Sequence, residues 1–123
     1  MSTRSLINVK CSDEKIRSSY IHFDGMDHLE TLQKHYNLPA QAESLVMMGD
    51  MSSLGERLLP SEDSNHSFET PEEGVCVFYG RDRGEDLVGP IEFNSFDIAR
   101  KQDRGQEYIY EFDNEWTQHK VRI

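Results

Sequence analysis

The residues with the widest chemical scope are Arg4, His22, Asp24, Asp50, Arg81, Asp82, Arg83 and Glu85. Two arginines beside a glycine, as in Arg81-Asp82-Arg83-Gly84, suit a phosphate or a carboxylate, which a guanidinium grips through charge-assisted hydrogen bonds. Asp24 or Asp50 suits a ribose or a base as a hydrogen-bond acceptor. Brought to one end of a sheet, this set would form an arginine-lined pocket for a small nucleotide or signalling molecule. The competing reading is an internal network of ion pairs that ties loops to the sheet edge. The run Arg-Asp-Arg-Gly-Glu-Asp over 81–86 carries its own counterions, which favours the network.

Other chemistry finds no constellation. His22 and Asp24 are two apart and could face the same way on a strand, but His28, His35, His66 and His119 are scattered, with no HxxxH pair and no cysteine at ligand spacing. No metal site is expected. No serine lies in a Gly-x-Ser-x-Gly elbow, and neither Cys11 nor Cys76 has neighbours that would lower a thiol pKa. Walker and Rossmann fingerprints are absent, so no cofactor is expected and the chain does not read as an enzyme.

The elements that must position these residues centre on Val75-Cys76-Val77-Phe78-Tyr79, an unbroken apolar run between Gly74 and Gly80. Such a run predicts a strand buried on both faces, here a central one that delivers the charged tip 81–86 to a sheet edge. Upstream, residues 4–11 and 16–23 predict an antiparallel hairpin around the polar turn 12–15. Ile7, Val9 and Cys11 share one face of its first strand; Arg4, Asn8 and Lys10 share the other.

Gly25 ends the hairpin, and Asp27 with Glu30 predicts a capped helix carrying Leu29, Leu32 and Tyr36 on one side. Pro39 starts a second helix, with Ala42, Leu45, Val46 and Met48 inward and Gly49 as its stop. Residues 50–59 read as a short turn or half-ordered segment, with Leu54 and Leu58 able to dip into the core. After the charged tip come a short strand at 90–93 and a third helix capped by Asn94 or Ser95. A final hairpin follows, Tyr108–Phe112 and Trp116–Val121, around a two-residue turn at Asp113-Asn114. The order predicts one α+β domain over 1–123, with a mostly antiparallel sheet of about five to six strands and two to three helices on one face.

Charge narrows the partners. The 123 residues carry 23 acids against 13 lysines and arginines, a formal charge of −10. That balance disfavours direct binding to nucleic acid and favours a basic protein surface. The stretch 60–73 holds Glu62, Asp63, Glu69, Glu72 and Glu73 with no lysine or arginine and reads as a long acidic loop, either a mobile solvated linker or, with exposed acids such as Asp13, Glu14, Glu43 and Glu56, the candidate partner-binding surface. No apolar run is long enough for a membrane, the start Met-Ser-Thr-Arg-Ser is too polar for a leader, and two unpaired cysteines suit a reducing cytoplasm. The outer edge of the last strand would support a homodimer as readily as a monomer.

Several motifs taken together look like one family. Ser2-Thr3-Arg4-Ser5, His22-Phe23-Asp24-Gly25, His35-Tyr36, Leu45 followed by Gly49-Asp50-Met51-Ser52-Ser53-Leu54, and Tyr79-Gly80-Arg81-Asp82-Arg83-Gly84-Glu85 resemble a family of small accessory proteins of tailed bacteriophages. The family form has an aromatic or a proline after His-Phe-Asp-Gly, where this chain has Met26-Asp27. The resemblance implies expression inside a bacterial host and carries over no established activity. Combined with the charge, it implies an inhibitor that occupies a host or defence protein, whether in CRISPR defence, in restriction or in host takeover, with carboxylates standing in for DNA phosphates.

Overall fold

The computed structural model describes residues 2–121. Strand β1 (Ser5–Lys10) pairs antiparallel with β2 (Ile16–Ile21), so the N-terminal hairpin forms with somewhat shorter strands than expected. Two helices follow: α1 (Leu29–His35) and α2 (Pro39–Met47). Strand β3 (Met51–Ser53) runs parallel to β2, where the sequence suggested only a short turn or half-ordered segment. Leu54 and Leu58 do pack against the core. Then come β4 (Val77–Phe78), α3 (Tyr79–Arg83), β5 (Ile91–Phe93), α4 (Phe96–Ala99), β6 (Tyr108–Phe112) and β7 (Trp116–Lys120).

The sheet order is β4-β3-β2-β1-β6-β7, with β5 on the same edge of β2 as β3. The domain is α+β, as expected, and its sheet is mixed, with antiparallel pairs in the majority. The pairs β1–β2, β2–β5, β3–β4 and β6–β7 are antiparallel, while β1–β6 and β2–β3 are parallel. Among the described residues, seven strands and four helices exceed the expected numbers.

Nor do the helices keep to one face. Ser18 and Ser19 are neighbours on β2 and so point to opposite faces. The Ser19 hydroxyl donates to the Val46 carbonyl of α2, at 2.7 Å, whereas Ser18 accepts from Gln102 just beyond α4, at 2.8 Å. Double cover is why β1 is buried from Ser5 through Val9. Ile7 and Val9 enter the main core beneath α1 and α2, with Tyr110 and Phe112 beside them on β6. Asn8, on the face opposite Ile7, is fully buried as well and donates to the Glu111 carboxylate at 3.2 Å.

The apolar run 75–79 is not a central strand. Val75 to Phe78 are buried, but only Val77–Phe78 is a strand, it lies at the edge of the sheet, and Tyr79 begins a helix. An apolar run reports burial, and here burial comes from packing against the core: the Cys76 thiol meets Tyr36 and Gly55. Smaller corrections follow at the termini of elements. His28, not Asp27, occupies the cap of α1 and no side chain caps it. Ser95 caps α4 by accepting from the Ile98 amide at 3.2 Å. The last turn has three residues, because Phe112 pairs with Trp116, and Asn114 takes φ +69°. Gly49, with φ +88°, ends α2 as expected. Among the described residues no helix is long and apolar enough to cross a membrane.

Candidate functional site

The eight candidate ligand-binding residues are not brought together: Arg81 and Asp82 belong to one network, Arg4, His22 and Asp50 to a second region, and Arg83, Glu85 and Asp24 to neither. The first surrounds α3. Because β4 runs straight into this helix, the Phe78 amide needs an acceptor, and the Asp82 carboxylate provides it at 2.8 Å. Arg81 binds the same carboxylate through Nε at 2.8 Å and a terminal nitrogen at 3.0 Å. It also donates to the carbonyls of Cys76, at 2.9 Å, and Leu58, and its guanidinium lies over the Phe78 ring.

His66 completes this network from the acidic loop. Its Nδ1 accepts from the Glu72 amide at 3.0 Å, which places the ring proton on Nε2, 3.2 Å from Asp82 Oδ1. The Asp82 side chain is only 5% exposed. Burial raises its pKa, but hydrogen bonds from Arg81, the Phe78 amide and His66, with the Arg81 charge, outweigh this and hold it below the usual carboxylate range. Arg83 turns the other way, toward water, 3.4 Å from Glu85 and over the Phe68 ring. Arg81 and Arg83 therefore do not converge on one anion. The ion-pair reading of 81–86 describes them.

The second network lies at the end of β2. Asp50, just after α2, accepts a two-pronged pair from Arg104, at 2.7 and 3.2 Å, and the Tyr20 amide at 2.9 Å. Arg104 lies over the Tyr20 ring. The Tyr20 hydroxyl meets His22 Nδ1 at 2.8 Å, and Ser2 meets the other ring nitrogen at 3.1 Å. Burial raises the Tyr20 pKa, against the pull of nearby Arg4. Arg4 and His22 line a cleft of about 340 Å³ together with Ser2, Gly105 and Glu107. Gly105, at φ +75°, lets the Arg4 guanidinium lie against the backbone where a side chain would stand. Asp24 is exposed and apart, at φ +57° in a turn.

The acidic stretch 60–73 has no helix or strand yet is fastened. Glu72 accepts from Arg57 at 2.7 Å and from the Ser61 amide and hydroxyl at 3.0 and 2.9 Å. Ser64, Ser61 and Arg57 together hold the Glu72 carboxyl down at about 2. Arg57 also donates to the Glu73 carbonyl at 3.1 Å. Among the described residues, Glu62, Asp63, Glu69 and Glu73 are exposed and make no ion pair. By contrast Arg17, Arg57, Arg81, Arg83, Arg100 and Arg104 each have a carboxylate partner.

Sequence reasoning missed Arg104, His66 and Arg57. Each finds its partner far along the chain, Arg104 and Arg57 passing over the acids directly before them, so no local spacing marks the pairing. Among the described residues no group of three histidine, cysteine, aspartate or glutamate side chains could hold a metal ion. Compared with known proteins, the chain matches no family model, no curated protein and no solved structure.

Proposed function

We propose that the chain acts by covering a cationic surface of a partner protein. The partner is a host or defence protein that handles nucleic acid. The chain itself is a phage accessory protein at work in the bacterial cytoplasm, an inhibitor of the anti-CRISPR, anti-restriction or host-takeover kind. One observation carries the reading: the sorting of charge. Most arginines are spent on internal carboxylates, while Glu62, Asp63, Glu69 and Glu73 face water from a fastened loop. Carboxylates so displayed offer a phosphate-reading surface the charge it is built to meet, and long-range attraction speeds the encounter.

The small-nucleotide alternative draws support from the Arg4–His22 cleft. It is weakened because Glu107 shares that cleft and Arg81 is engaged with Asp82, Cys76 and Leu58. The test is capture from a bacterial extract on immobilised protein. Retention of a nucleic-acid-handling protein that is released by rising salt and displaced by duplex DNA supports the reading. Retention insensitive to both, or none, overturns it. A gain in thermal midpoint with a nucleotide would move the choice to the alternative.

A further inference from the structure

Two surface hollows meet beside the acidic loop. The first, about 490 Å³, is walled by Tyr36, Leu58 and Leu59; the second, about 610 Å³, by Glu72 and Glu73. Glu56 and Arg57 line both, so the two hollows adjoin across these residues, a groove in two parts. Its two ends differ in chemistry. At the first, Leu59 is 71% exposed and Leu58 partly so, over a floor formed by Tyr36, which is only 3% exposed and has its hydroxyl committed to the Gly55 carbonyl at 2.7 Å. Burial, with the Cys76 thiol and the Glu56 charge close by, keeps that hydroxyl protonated. At the second end the only cation among the described residues is Arg57, which Glu72 neutralises at 2.7 Å. Glu56 and Glu73 are exposed and make no ion pair among the described residues.

We propose that this groove docks an extended segment of the partner in which an aliphatic or aromatic side chain has a lysine or arginine close beside it in sequence. The apolar side chain covers Leu58 and Leu59 next to Tyr36, and the cation lies against Glu56 and Glu73. Complementary charge selects the occupant: an acidic peptide would meet two uncompensated carboxylates, and a purely apolar one would leave them facing it. The inference rests on the reading that the partner is cationic, and it adds where the partner docks and what it must carry beyond charge.

A displayed library of random short peptides, panned on the whole protein at low salt, tests it. Enriched peptides should pair an apolar residue with a neighbouring lysine or arginine. Synthesised and labelled, they should bind about tenfold or more weakly by fluorescence anisotropy to Leu59→Glu. That substitution adds negative charge, so weakening cannot come from lost attraction. Glu56→Lys with Glu73→Lys should weaken them as well, whereas Glu62→Lys with Asp63→Lys should do so far less. All these side chains are exposed, and an unchanged thermal midpoint confirms that each variant folds. Peptides that are basic but lack an apolar position, and that respond to Glu62→Lys with Asp63→Lys but not to Leu59→Glu, would overturn the groove and leave the cationic-partner reading standing. Enriched peptides without basic residues would overturn both. No enrichment would overturn the groove.

Discussion

Arg81 and Arg83 are two positions apart and chemically identical, yet the fold uses them in opposite ways. Arg81 is three-quarters buried against a carboxylate that is itself nearly sealed, and Arg83 stands more than half exposed beside Glu85. Removing one partner of a buried pair leaves an uncompensated charge, whereas an exposed pair is weak because water already solvates both ends. Asp82→Ala is therefore expected to cost about 2–3 kcal/mol, combining a stranded guanidinium with an unpaired Phe78 amide. Arg83→Ala should stay within about 0.5 kcal/mol. Urea denaturation of the two variants measures both, and equal midpoints would refute the assignment of Asp82 as the anchor of α3. The self-neutralising character of 81–86 was legible because partners one or two residues apart are visible in the sequence. Asp50 was legible as a candidate and not as a structural anchor, because its partner Arg104 lies 54 residues away.

The elements repeat this lesson with longer segments. The N-terminal hairpin, α2 between Pro39 and Gly49, β5, and the β6–β7 hairpin announce themselves through local signals: alternation, a proline start, a glycine stop. Strand β3 has three residues and pairs with β2 through a single register contact, Ile21 with Met51, so it exists only because the tertiary fold brings it there. The acidic stretch has the composition of a long loop, and nothing local in it marks its fastening, since Glu72 is held by Arg57 and Ser61 across turns of irregular backbone. That fastening is pH-dependent. The folded-state pKa of Glu72 is about 2, below its ordinary 4.5, so its stabilisation is fully present above about 4.5 and is lost as the pH falls toward 2. Asp82, lowered in the same direction, acts with the same sign on the side where His66 meets it. Amide exchange over 60–73, once corrected for intrinsic pH effects, should lose protection through this window. Glu72→Gln should show reduced protection already at neutral pH and a flatter profile below it. A wild-type loop equally protected at both ends of the window would remove Glu72 as its clasp.

At the scale of the whole molecule, the net charge was plain from the residue counts, while the distribution was not, because ion pairing depends on the topology. Covering the sheet on both faces takes Glu111 and Asp50 out of the solvent and gives them to Arg100 and Arg104, and the short helix α3 does the same for Asp82 and Arg81. The excess then falls on carboxylates with no cation partner among the described residues, including four in the 60–73 stretch. Such groups repel one another and contribute nothing to holding the fold, so they are separable from it. Glu62→Lys, Asp63→Lys, Glu69→Lys and Glu73→Lys combined would change the formal charge from −10 to −2, each exchange shifting it by two. The thermal midpoint of this variant should match or exceed that of the parent, most clearly at low ionic strength where the repulsion is least screened, and the two should draw together as salt is added. Binding to a cationic partner should fall sharply over the same comparison and lose most of its salt dependence. If the midpoint instead dropped by many degrees, these acids would belong to the architecture, held by contacts in the way that Glu72 is, and a surface set aside for another protein would have to be sought elsewhere on the chain.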